Sequence, residues 1–145
     1  MTDIKTLYPQ DSGYSGFDSY QPMIDDFGKV IIQVDDSDYQ GDTRVFLKKD
    51  NKYGYLQFGW GSCSGCDALQ ACRNYEEAQK LYDQLKDDIR WFDSLEDVFE
   101  FFGTHDWEGD YSYHREEQQD FIKKVIDYCI SLFGSFDWNS LSFNY

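Results

Sequence analysis

Three stretches in the first half of the chain set β-branched and aromatic residues between short polar turns: Lys29 to Val34 (KVIIQV), Thr43 to Lys48 (TRVFLK) and Lys52 to Trp60 (KYGYLQFGW). Such residues suit a pleated, half-buried surface, so each stretch predicts a strand. In the third, Leu56, Phe58 and Trp60 fall on one face and Tyr55 and Gln57 on the other. The short connections select an antiparallel meander. Further along, the period of the pattern changes from strand to helix. Asn74, with Glu77 three residues on, resembles a capping box, and Ala78, Leu81, Tyr82, Leu85 and Ile89 follow on one helical face. Ser94 opens a second helix with Leu95, Val98, Phe99 and Phe102 inward and Gly103 as its stop. A third is expected from about Arg115 to Phe133, with Phe121, Ile122, Val125, Ile126, Cys129 and Phe133 inward and Gly134 as its stop.

The flanks lack a period. Residues 1–28 hold Gly, Ser, Asp, aromatics, Pro9 and Pro22, and read as an irregular arm laid over the core by Tyr8, Tyr14, Phe17 and Tyr20, or as an interaction arm. Residues 134–145 form an aromatic tail that either packs back on the sheet or makes an interface, which leaves a homo-oligomer open. The chain has 145 residues and no internal repeat or linker, so a single domain over 1–145 is expected. Its class is α+β: a three-stranded antiparallel sheet (29–60) followed by three packed helices (61–133).

Charge narrows the choice of partners. With 28 acids against 13 bases the net charge is −15. Bare nucleic acid and anionic membrane are therefore poor partners, while a basic protein surface is a good one. Residues 73–145 carry 17 of the acids and 7 bases, and Asp83 to Asp110 holds ten acids against Lys86 and Arg90. A negative helical face is predicted, with Asp83, Asp87, Asp88, Asp93, Glu96, Asp97 and Glu100 as its contact residues. The N-terminus shows no signal or transit pattern, and no apolar run could span a bilayer. A cytoplasmic protein with reduced cysteines is the expectation.

Four groupings could carry chemistry. Cys63 and Cys66 form a C-x-x-C between a strand and a helix; with Cys72 and either His105 or His114 they could bind zinc, although a second paired motif is missing. The same thiols could serve redox or nucleophilic chemistry, or simply pack as small hydrophobes in a glycine-rich turn. Asp36, Asp38, Gln40 and Gly41 match the opening of a calcium loop, but Leu47 stands where the bidentate Glu belongs, so a solvated hairpin turn is favoured. His105 to His114 (HDWEGDYSYH) collects Asp106, Trp107, Glu108 and Asp110 with two histidines, as a carboxylate–histidine site or, preferably, a contact loop centred on Trp107.

The blocks DYQGDTRVF, YGYLQFGWGSCSGCDALQAC, IRWFDS and HDWEGDYSYH, spanning roughly residues 29–125, resemble a group of small acidic proteins of bacteria and their phages, with GSCSGCDALQAC the most specific. The resemblance implies no catalytic residues. It implies a phage or mobile-element setting, in which small acidic proteins act as inhibitors of host defence nucleases, anti-CRISPR proteins among them. The expected function is a non-enzymatic DNA mimic, without cofactor, that blocks a basic nucleic-acid-binding surface of a host defence protein. The alternative is a zinc-binding or thiol-dependent protein built on Cys63, Cys66 and Cys72.

Overall fold

The computed structural model describes residues 3–9, 17, 19–37, 39–62, 67–110 and 114–133. Among them the chain is α+β, with an antiparallel sheet in the order β1-β2-β3-β4. The strands are β1 (Lys29–Asp35), β2 (Gly41–Lys49), β3 (Lys52–Trp60) and β4 (Arg90–Phe92). Helices α1 (Ile4–Leu7) and α2 (Gln21–Phe27) precede the sheet, α3 (Tyr75–Asp88) runs between β3 and β4, and α4 (Leu95–Thr104) and α5 (Arg115–Phe133) follow.

The β2–β3 hairpin turns through Asp50 and Asn51, whose φ values of 53° and 66° suit a two-residue turn twisted with its strands. Alternation along β2 and β3 sends Val45, Leu47 and Leu56 to one face and Phe46 and Tyr53 to the other. In β1 the pairing jumps from Val30 opposite Leu47 to Ile32 opposite Phe46, a bulge. The extra residue resets the strand so that Gln33 and Asp35, paired with Val45 and Thr43, share their face.

Both faces are covered. On the first, α1, α2 and α3 bury Ile4, Met23, Ile24, Phe27, Tyr82 and Leu85 against the sheet. On the second, α4 and α5 bury Val98, Phe99, Phe102, Phe121, Val125 and Cys129. Each large aliphatic or aromatic side chain removed from water contributes about 1.5–3 kcal/mol, so two such layers outweigh the modest propensity of any single element. The caps behave as expected. Asn74 Oδ1 accepts from the Glu77 amide (2.9 Å) and Ser94 Oγ from the Asp97 amide (3.1 Å). Glu77 reaches back one residue further than a capping box requires, accepting from the Arg73 amide at 2.8 Å.

Several expectations need correction. The sheet has four strands rather than three: Ile89 leaves the helix with extended backbone (φ −66°, ψ 126°), and Arg90–Phe92 pairs with Tyr53–Tyr55 along the open edge of β3. There are five helices among the described residues rather than three, because the arm contains α1 and α2. Pro22, read as a break, stands in the first turn of α2, where its missing N–H costs nothing. Gly103 does not stop α4, which continues to Thr104.

Candidate functional site

The most unusual feature of the sheet is a charge inside it. Arg44, on central strand β2 between Val34 and Gln57, faces the α4/α5 side and is fully buried. Its Nη1 donates to Asp36 Oδ1 at 2.9 Å, and its Nη2 stands 3.7 Å from Asp42 Oδ2. Asp36 lies just past β1 and is turned inward. Its Oδ2 accepts from the Asp42 amide at 2.7 Å, while the Asp36 amide donates to the Asp42 carbonyl at 3.0 Å. A Cβ at Gly41 would lie 2.5 Å from the Asp36 Cβ, so only glycine lets the turn close over this carboxylate. The calcium-loop pattern is thereby explained as a hairpin turn, with Asp36 directed at Arg44; Asp38 lies outside the described residues.

The polar cluster continues outward from Asp42. Gln57 Nε2 donates to Asp42 Oδ2 (3.4 Å) and Tyr55 Oη to Gln57 Oε1 (2.7 Å). Burial pushes the Asp42 carboxyl up; Arg44 opposes that shift and Asp36 adds to it. The Tyr55 phenol is pushed up by burial. From the start of α5, half-buried His114 and Glu117 come within reach of Asp36, with His114 Nδ1 at 3.8 Å from Glu117 Oε2. One potential ligand atom each from Asp36, His114 and Glu117 lies within 4.8 Å of the other two. Nothing in the sequence marks Arg44 or Glu117 for this cluster: Arg44 resembles an ordinary polar residue of a strand, and Glu117 one acid of a helix start. Beside Glu117 on the same helix, Gln118 is 1% exposed and its Nε2 has no acceptor among the described residues.

The predicted acidic residues are divided between the two layers. Asp83, Asp87 and Asp88 lie on α3, over the first face, whereas Glu96, Asp97 and Glu100 lie on α4, over the second. What does come together is a groove where edge strand β4 meets α4, lined by Arg90, Asp93, Asp97, Glu100 and Phe101. The Arg90 guanidinium stacks 4.1 Å over the Phe101 ring there, while the Trp91 ring, 38% exposed, lies on the other face of the sheet beside Gly54, Leu47 and Ile89. Asp93 also lies 3.5 Å from Lys52 Nζ, an exposed pair of little energetic weight.

The loop after α4 is more structured than a contact loop requires. Trp107 is half-buried; its indole N–H donates to the Phe102 carbonyl at 2.9 Å, and its ring packs on Tyr55, Phe101, Phe102 and His105. Arg115 ties the loop to α5 through the Trp107 and Glu108 carbonyls (2.7 and 3.0 Å). His105 Nε2 stands 2.9 Å from Asp110 Oδ2, and Asp106 Oδ1 accepts from the Gly109 amide at 3.1 Å. Asp106 and Glu108 remain exposed.

Cys63 and Cys66 lie outside the described residues. Cys72 packs against the first-face cluster, its Sγ donating to the Ala68 carbonyl at 3.3 Å, while His105 belongs with Phe101 and Trp107 on the second face. Burial, then Glu77 and Asp67, push the Cys72 thiol up, which favours the thiol over the metal-binding thiolate. The chain around it is held by Asp67, whose carboxylate accepts from the Tyr20 hydroxyl and from the Gly61 and Gln70 amides at 2.9–3.1 Å. Cys129 is buried in the second cluster, as its helical position predicts. Among the described residues, no helix is long and apolar enough to cross a membrane. No family model, curated protein or solved structure matches this chain.

Proposed function

We propose that this chain is a non-enzymatic acidic binding protein that covers a basic, nucleic-acid-binding surface of a host defence protein, as a cytoplasmic inhibitor of phage or mobile-element origin would. The observation that supports this reading best is the β4/α4 groove, where the carboxylates of Asp93, Asp97 and Glu100 share one open surface. Carboxylates held on a rigid edge suit the Lys- and Arg-rich grooves that hold DNA or RNA, where they take the places of phosphates. The net charge of −15 adds long-range attraction to the same partner. Asp83, Asp87 and Asp88, on the other layer, contribute to that field without sharing the groove.

Binding of this kind weakens as salt screens it, over a Debye length of about 8 Å at physiological ionic strength. The test is capture from bacterial lysate at low and high salt, comparing the wild type with a D93N/D97N/E100Q variant. The expected result is a nucleic-acid-binding protein held by the wild type at low salt, released at high salt and lost from the variant. A partner retained equally by both chains would refute the groove as its contact surface, and retention at high salt would refute the mimicry.

A further inference from the structure

We infer that Asp36, His114 and Glu117 form a binding site for a divalent metal ion, at the junction of the β1–β2 turn with the start of α5. The site is assembled from two distant parts of the chain and is anchored from inside. Asp36 is 4% exposed, and its orientation is fixed by the Arg44 guanidinium and the Asp42 amide. This is the support that oriented metal ligands require from a second ring of donors. Each carboxylate oxygen of Asp36 keeps a further lone pair for an ion beyond the one its protein donor uses.

The geometry is close to closed. An ion with bonds of about 2.1 Å holds its ligand atoms at most about 4.2 Å apart. The three candidate atoms are already within 4.8 Å of one another, so small side-chain rotations complete the set. The Glu117 and His114 side chains, at the start of a helix, are 26% and 19% exposed, so an ion can enter from solvent. Charge points the same way. Asp36, Asp42 and Glu117 bring three carboxylates to the cluster, and the single positive charge of Arg44 offsets one of them. A divalent cation balances the remainder.

One imidazole nitrogen with two carboxylate oxygens, and no thiolate, selects borderline-to-hard ions such as Mn2+, Fe2+, Co2+ or Zn2+ and leaves coordination positions open to water. Mn2+ is the informative probe, because the thiols elsewhere in the chain compete for zinc far better than for manganese. The full chain, stripped with chelator, is titrated with Mn2+ and the free ion followed by its EPR signal, with thermal unfolding measured in parallel. The expected result is one Mn2+ per chain and a raised unfolding temperature. H114A and E117Q, both at half-exposed positions, are each expected to weaken binding about ten-fold or more while keeping the far-ultraviolet circular dichroism of the wild type. D106N/E108Q, which removes exposed acids outside the cluster, is expected to leave affinity unchanged. Absence of one-to-one binding by the wild type overturns the assignment without recourse to any variant. Binding that is indifferent to H114A and E117Q, or that falls equally in D106N/E108Q, overturns it as well.

Discussion

Replacing Arg44 by Met tests whether the second layer depends on its buried ion pair. Methionine keeps most of the aliphatic stem of arginine, so packing changes little. What changes is Asp36, whose side chain is 1% exposed and loses the Nη1 donor at 2.9 Å. It keeps the Asp42 amide at 2.7 Å, one hydrogen bond for a buried negative charge. Asp42, at 3.7 Å, loses the same cation. Removing one partner of a buried pair costs about 3–5 kcal/mol, because the remaining charge has neither water nor a counter-ion. For a chain of this size that corresponds to a fall in Tm of roughly 10–20 °C. The companion double variant D36N/R44M separates this effect from lost packing. The asparagine that D36N introduces can still accept from the Asp42 amide and carries no charge, so the double variant is expected to recover about 2 kcal/mol or more relative to R44M. Urea and thermal denaturation, all in chelator so that no metal contributes, give both numbers. A loss below about 1 kcal/mol in R44M, or a double variant no better than the single, would refute the account of Arg44 as a charge whose removal strands another.

Two further outcomes follow from the packing. A Cβ at Gly54 would come within 2.9–3.0 Å of Ile89, Leu47 and Trp91, so G54V is expected to cost about 1–3 kcal/mol and to push β4 off the sheet edge, visible as a change in Trp91 fluorescence against a W91F control; unchanged emission and stability would refute the close approach. Burial pushes the Cys129 thiol from 9.0 up to about 12. The folded chain then holds this proton where the unfolded chain releases it, so its contribution to stability is complete below pH 9 and declines as pH rises toward 12. C129A is expected to show a shallower alkaline loss than the wild type, and native Cys129 to resist iodoacetamide at about pH 8 in peptide mapping; ready alkylation of Cys129 in the folded chain would contradict both.

Much of the fold was legible in the sequence because local patterns had no competitor. The meander of β1, β2 and β3 follows from β-branched and aromatic runs joined by short turns, and α3 and α5 from long apolar stripes. The bounds of α5, Arg115–Phe133, match the period directly. Elements too short to show a period were missed. α2 has seven residues and no side-chain N-cap, and β4 has three. Each exists because a sheet face or edge was available to bury it, which is a tertiary fact.

The site was less legible for the same reason. Alternation predicts that Arg44 shares a face with Phe46, but not that a polar residue there is buried. That outcome requires Asp36 and Asp42 to converge on it once Gly41 lets the turn close. Acid content predicted a negative surface, yet only the placement of α3 and α4 on opposite sides of the sheet decides that Asp93, Asp97 and Glu100 share a groove from which Asp83, Asp87 and Asp88 are excluded. Asp36, His114 and Glu117 meet because α5 packs across the sheet beside the end of β1. A one-dimensional pattern records which residues prefer water and at what spacing; which distant charges are forced together is set by how the layers stack.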